Sequence, residues 1–129
     1  MNTATKIAVP PVLNLEKLKF LLDMDSDNPG FLSQLLGTFD ECCEKIFREF
    51  PLKKTNAEDV FQMGHLLKGM AGNLGAVKLE ESAAQIEIAG KSKDLSSIDF
   101  LIRSARQAYD ETKEEFRLSS GASTRTMKG

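Results

Sequence analysis

The sequence predicts an all-α fold, an antiparallel four-helix bundle with an additional short N-terminal helix. Apolar residues recur at helical spacing through most of the chain, and no stretch alternates apolar and polar residues for long enough to be a strand. Turn residues divide the helical segments at short intervals. Amphipathic helices joined by short loops bury their apolar faces most economically against one another, which favours a bundle.

The first two predicted helices lie on either side of an acidic turn. The side chain of Asn14 is expected to cap the first helix, which ends near Asp23. The residues from Asp23 to Gly30 predict a turn that brings carboxylates to the N-terminus of the second helix, where the helix dipole favours them. The second helix is expected to have Pro29 in its first turn and to end at Pro51.

Three further helices follow, and the two ends of the chain lack helical periodicity. Thr55 or Asn56 is expected to cap the third helix, and Gly75 to end it. The fourth helix is predicted from residue 76 or 77 to residue 89, and the fifth from residue 96 or 97 to residue 116. Residues 1–12 are predicted to be a flexible arm and residues 119–129 a disordered tail.

Composition limits the classes of function. The chain has 129 residues, of which 41% are hydrophobic and 28% are charged, as in a single globular domain. A net charge of −2 predicts no nucleic-acid partner, and the absence of a long apolar run predicts no membrane span. Cys42 and Cys43 are expected to be reduced thiols of a cytoplasmic protein, also nuclear if the organism is eukaryotic. No metal site is predicted, since zinc requires more ligands.

The single histidine, His65, lies in a segment that is unusually rich in glycine for a helix. The four glycines of this segment are Gly64, Gly69, Gly72 and Gly75. Each glycine inside a helix costs about 1 kcal/mol relative to alanine, which invites a functional reason. Positions 65, 68, 69, 72 and 76 share one helical face. An imidazole and the Lys68 ammonium are therefore expected on a helical surface whose other residues are small. A surface with so few side chains allows a phosphate or the backbone of another molecule to come close.

The segment resembles a known family motif. His65-Leu66-Leu67-Lys68-Gly69 followed by Gly75 is similar to the H-x-L-K-G-(x)5-G motif of histidine-containing phosphotransfer (HPt) domains. The resemblance implies an HPt-like bundle over residues 13–118 and a phosphoacceptor role for His65, which would take a phosphoryl group from a receiver-domain aspartate and pass it to another receiver. It also implies that Lys68 stabilises the phosphate and that Gly69 leaves the docking surface clear. Met70 and Ala71 stand where serines often follow the family glycine.

The resemblance further implies an orienting residue for the imidazole on the following helix. Glu87, 22 positions after His65, stands where family members use a glutamate or glutamine, and Gln85 is its neighbour. A carboxylate that accepts the Nδ1 proton would leave Nε2 as the nucleophile.

The implied partners are receiver domains of hybrid histidine kinases and response regulators. Docking is expected at Gly69, Gly72, Leu21, Met24, Phe31 and Leu35, although each of the apolar side chains could instead belong to the core. The protein is expected to be a monomer without independent turnover and without a cofactor of its own. Mg²⁺ is expected only on the partner receiver domain.

One alternative function stays open. A non-catalytic helical adaptor would have the same fold, and it predicts that His65→Ala leaves partner binding and biological output intact. A kinase dimerisation helix pair is disfavoured, because Leu66 follows the histidine where such helices carry an acidic residue.

Overall fold

A computed structural model describes residues 11–119 as five α-helices and no strand. The helices are α1 (Leu15–Asp27), α2 (Phe31–Lys53), α3 (Ala57–Leu74), α4 (Val77–Ser92) and α5 (Ile98–Ser119). The most extensive helix pair is α3 with α4, while α5 packs on α4 and α2, and α1 packs on α2 and α3. The predicted all-α bundle with an additional N-terminal helix is confirmed. None of the helices within residues 11–119 has both the length and the apolar character needed to cross a membrane.

The link between α1 and α2 is shorter than predicted. Asn14 caps α1 as expected, since its side chain accepts a hydrogen bond of 3.0 Å from the Lys17 N–H. The turn predicted from Asp23 onward is wrong, because α1 continues to Asp27. The helical Asp25 side chain accepts the Leu32 N–H at 2.9 Å and thereby satisfies a donor in the first turn of α2. The predicted placement of a carboxylate at this helix N-terminus is therefore confirmed.

The other helix ends agree with the sequence more closely. Asn56 caps α3 by accepting the Asp59 N–H at 2.9 Å, and Gly75 ends α3 with a left-handed φ of 70°. The prediction that Pro51 ends α2 is wrong, since α2 continues to Lys53. Pro51 lies in the last turn of α2, where its missing N–H removes one backbone hydrogen bond and only two helical residues follow.

Val12, which the sequence assigned to the flexible arm, contacts the helices. Val12 packs against the core, and its carbonyl accepts a hydrogen bond of 3.4 Å from the Lys78 N–H. Leu13 is buried, and the Asn14 N–H donates to the Gly75 carbonyl at 2.8 Å. These contacts fix the chain preceding α1 against the α3–α4 link. Most of the predicted arm, residues 1–10, and most of the predicted tail, residues 120–129, lie outside the described residues, while Ser119 is the last residue of α5.

A polar network at the edge of the core links α2 to α5. The Tyr109 ring is fully buried and packs against Phe39 and Phe47. Its hydroxyl donates to the Asp40 carboxylate and lies 3.1 Å from Glu44 Oε2. Burial and these carboxylates raise the pKa of Tyr109 far above its ordinary value, so the hydroxyl stays protonated and remains a donor. The network joins α2 to α5 without contributing to the α3–α4 pair.

The end of α4 offers a test of backbone strain. Lys93 follows Ser92 with φ 61°, a left-handed conformation that costs about 1–2 kcal/mol in a residue with a Cβ. We expect Lys93→Gly to raise the free energy of unfolding by about 0.5–1 kcal/mol, since the greater entropy of glycine in the unfolded chain offsets part of the relief. Lys91→Gly, inside the last turn of α4, should lower it by about 1 kcal/mol. Urea denaturation measures both, and equal effects of the two substitutions would contradict the strain argument.

Candidate functional site

His65 lies on the exposed side of α3 and is held at one nitrogen and one face. Its Nδ1 atom is 2.8 Å from Glu87 Oε2, on α4. The Phe61 ring, one turn earlier on α3, stacks on the imidazole with centroids 5.9 Å apart and an interplanar angle of 13°. The imidazole side chain is nevertheless 59% exposed. The ring is therefore oriented by two neighbours while most of its surface is open to an incoming molecule.

Glu87 bridges the imidazole and a cation. Its Oε1 atom lies 2.6 Å from Lys68 Nζ, while Oε2 is the partner of His65. The Lys68 ammonium, and next the hydrogen bond with His65, lower the pKa of the Glu87 carboxyl below its ordinary value. An ionised carboxylate only accepts hydrogen bonds, so of the two tautomers of a neutral imidazole it favours the one with the proton on Nδ1 and the lone pair on Nε2.

The lowered pKa of Glu87 predicts a pH-dependent contribution to stability. A carboxyl whose pKa is lower in the folded than in the unfolded chain stabilises the fold above the unfolded-state pKa, and this contribution is lost as the pH falls through the folded-state pKa. For Glu87 the loss begins near the ordinary value of 4.5. We expect the difference in free energy of unfolding between the wild type and Glu87→Gln to shrink as the pH is lowered from about 5 to 3. Urea titrations at each pH measure it, and a difference that widens on acidification would contradict the predicted sign.

The glycines near His65 have different surroundings. A Cβ added to Gly69 would meet no atom within 4 Å, so this position is open, as predicted. Gly72 is half-buried, and a Cβ there would lie 3.4 Å from Glu80 Oε2, an ordinary contact. Ala76 is fully buried, so the prediction that it lies on the open helical face beside His65 is wrong. Gly64 is also buried, against the Glu87 backbone, and sequence reasoning did not identify this contact.

The predicted docking residues are only partly exposed. Leu21 is 2% exposed, so its assignment to a docking surface is wrong, because a partner could reach it only by opening the core. Met24 is 37% exposed, while Phe31 and Leu35 are half-buried against the core. Leu66, next to the histidine, is 56% exposed and was not predicted as a docking residue. The sequence pointed to Leu66 as a docking residue only through its position directly after His65 in the motif.

A cleft between α2 and α3 lies beside the exposed side chain of Leu66. It has a volume of about 270 Å³, and its lining includes Ile46, Met63, Leu66 and Met70. Cys42 also lines the cleft and is half-buried, while Cys43 is fully buried. Both thiols are free, and burial raises the pKa of Cys43 to about 12. The described part of the chain, residues 11–119, contains no group of three or more His, Cys, Asp or Glu side chains that could hold a metal ion.

Comparison with known proteins identifies a family. The Hpt domain model matches residues 30–115, about two thirds of the chain, including His65, Lys68 and Glu87. The phosphorelay intermediate protein YPD1 of Candida albicans (strain SC5314) is 35% identical over 69 residues, which cover 52% of this chain. The match spans 38% of the length of that relative. No solved structure matches the chain. Because the family model covers all of α2, α3 and α4 and most of α5, the chain belongs to the Hpt domain family.

Proposed function

We propose that this protein is a phosphorelay carrier that accepts a phosphoryl group on Nε2 of His65 from a receiver-domain aspartate and passes it to a second receiver domain. The observation that carries the proposal is the contact of 2.8 Å between His65 Nδ1 and Glu87 Oε2 on an imidazole that is 59% exposed. This geometry combines a fixed tautomer with access to the nucleophilic nitrogen. Membership of the Hpt domain family supports the same function.

The proposed transfer balances as a simple displacement. The Nε2 lone pair attacks the phosphorus of the aspartyl phosphate, a P–N bond forms, and the P–O bond to the aspartate breaks. The aspartate leaves as a carboxylate, and the phosphorylated ring keeps its proton on Nδ1 and carries a positive charge. The Glu87 carboxylate faces that proton and offsets the charge. Transfer to the second receiver is the reverse displacement, with an aspartate carboxylate as nucleophile.

Lys68 supplies the positive charge for the phosphoryl oxygens in this proposal. It lies three residues after His65 on the same helical face, and its side chain is 38% exposed. In the unphosphorylated protein its ammonium is paired with Glu87. Phosphoryl transfer depends mainly on positioning and charge stabilisation, and the receiver domain supplies the remaining groups, including its Mg²⁺. The carrier by itself therefore has no turnover.

The partner surface proposed for the receiver domain surrounds the histidine. Gly69 leaves the approach open beside the imidazole, and Gly72 lies one turn further along α3. Exposed apolar area comes from Leu66 and Met24, and the half-buried Phe31 and Leu35 contribute their accessible edges. A monomer in the cytoplasm, or in the nucleus of a eukaryote, meets receiver domains of hybrid kinases and response regulators through this surface.

A two-step relay experiment tests the proposed function. The protein is incubated with a phosphorylated receiver domain, repurified, and then mixed with a second, unphosphorylated receiver. We expect an acid-labile, base-stable label on the protein in the first step, and its loss to the second receiver in the next. Failure to acquire label from any of a panel of phosphorylated receivers would contradict the proposal. Receiver binding without label would instead support the helical adaptor.

A further inference from the structure

Two glycines on opposite helices bring the α3 and α4 backbones into unusually close contact. A Cβ added to Gly64 on α3 would lie 2.4 Å from the Glu87 backbone nitrogen and 2.8 Å from its Cα atom. A Cβ added to Gly90 on α4 would lie 2.3 Å from the Phe61 backbone nitrogen and 2.7 Å from the Ala57 carbonyl oxygen. These distances are too short for any side chain, and the atoms met are backbone atoms that no rotamer change can move. The observed helix separation thus requires glycine at both positions.

Two of the residues in contact with these glycines also hold the imidazole. Glu87, whose backbone rests on Gly64, hydrogen-bonds His65 Nδ1 at 2.8 Å. Phe61, whose backbone rests on Gly90, stacks on the imidazole face. Both contacts cross between α3 and α4, and the helix separation that they allow brings the Glu87 carboxylate of α4 within reach of His65, whereas Phe61 and His65 share α3. The α2 glycine Gly37 has no such neighbour, since a Cβ there would meet nothing within 4 Å.

We infer that Gly64 and Gly90 are positioning residues that set the tautomer of His65 through the separation of α3 and α4. An alanine at Gly64 forces the helices apart by on the order of 1 Å, because its Cβ must move from 2.4 Å to an ordinary contact distance from the Glu87 nitrogen. The Glu87 carboxylate then recedes from Nδ1 beyond hydrogen-bond range. The importance of the tautomer for phosphotransfer rests on the proposed function, whereas the effect on the imidazole does not.

The test uses the fact that the chain contains a single histidine. A long-range ¹H–¹⁵N correlation spectrum of the imidazole, recorded at alkaline pH on the full chain, reports which ring nitrogen carries the proton. We expect the wild type to carry it on Nδ1, and Gly64→Ala and Gly90→Ala to show a substantial population with the proton on Nε2. The rate of transfer at saturating phosphorylated receiver should fall by roughly 10- to 100-fold in both variants, the size of effect seen when the residues that orient metal-bound imidazoles are changed.

Two controls separate positioning from stability. Gly37→Ala changes a glycine in an open part of α2 and should keep the wild-type spectrum. Tyr109→Phe removes the buried hydroxyl between α2 and α5, so it should destabilise the fold and still keep the proton on Nδ1. Wild-type spectra for both Gly64→Ala and Gly90→Ala would overturn the inference. So would unfolding of both variants under conditions in which Tyr109→Phe stays folded, because the glycines would then serve stability alone.

Failure of all phosphorylated receivers to label the wild type would overturn the proposed function and leave the spectral result standing.

Discussion

Replacing His65 by glutamine is expected to abolish acid-labile phosphorylation while leaving the fold intact. Glutamine has a higher helix propensity and retains hydrogen-bonding groups, but its amide nitrogen has no available lone pair to attack phosphorus. The imidazole is 59% exposed and lies outside the core, so the free energy of unfolding should change by no more than about 0.5 kcal/mol. Exposure to a phosphorylated receiver, followed by acid and base treatment of the labelled protein, measures the chemical result.

The control for this variant is partner binding. Circular dichroism and receiver affinity should be close to wild type in His65→Gln, since the apolar surface at Leu66 and Met24 is unchanged. A label on His65→Gln equal to that on the wild type would place the phosphoryl group on another side chain. It would also remove the basis for the roles proposed for Lys68 and Glu87.

Removing the Lys68 ammonium is expected to slow transfer by roughly 100-fold, because charge stabilisation of the transferring phosphoryl group loses a nearby cation. Lys68→Ala should retain the helical content and the phosphoacceptor His65. The measurement is the single-turnover rate at saturating phosphorylated receiver, which separates the transfer step from docking.

The chain provides a closely matched control for Lys68. Lys78 forms an ion pair of 2.6 Å with Glu111, the same length as the pair between Lys68 and Glu87. The two lysine side chains are also similarly exposed, at 32% and 38% respectively. Lys78→Ala should therefore reproduce the loss of an ion pair without the loss of transfer rate. Equal rates for Lys68→Ala and Lys78→Ala would contradict a role for Lys68 in stabilising phosphate.

Part of the site could be predicted from the sequence because residues 65–75 resemble a family motif. The pairing of His65 with Glu87 was implied only by that resemblance, and the structure brings the two side chains together across the antiparallel helices α3 and α4, which are joined at Gly75. The predicted contact is present, and so is the open position at Gly69.

The remaining features depend on how one helix covers another, which periodicity does not encode. Leu21 and Met24 lie three residues apart on α1, yet one is 2% and the other 37% exposed. Gly64 and Gly69 belong to the same glycine-rich segment, but only Gly64 faces another backbone. The continuation of α1 past Asp23 was missed because the role of Asp25 as a hydrogen-bond acceptor for α2 is a tertiary contact. Local turn propensity was overridden by that contact.

The position of the phosphoryl group on the imidazole tests the central claim most directly. ³¹P and ¹⁵N NMR of the full chain, after phosphorylation by a receiver domain and in alkaline buffer, distinguishes a phosphoryl group on Nε2 from one on Nδ1. The contact of 2.8 Å between Nδ1 and Glu87 predicts phosphorylation on Nε2 of His65, with the proton retained on Nδ1. A phosphoryl group on Nδ1, or on any side chain other than His65, would contradict the account.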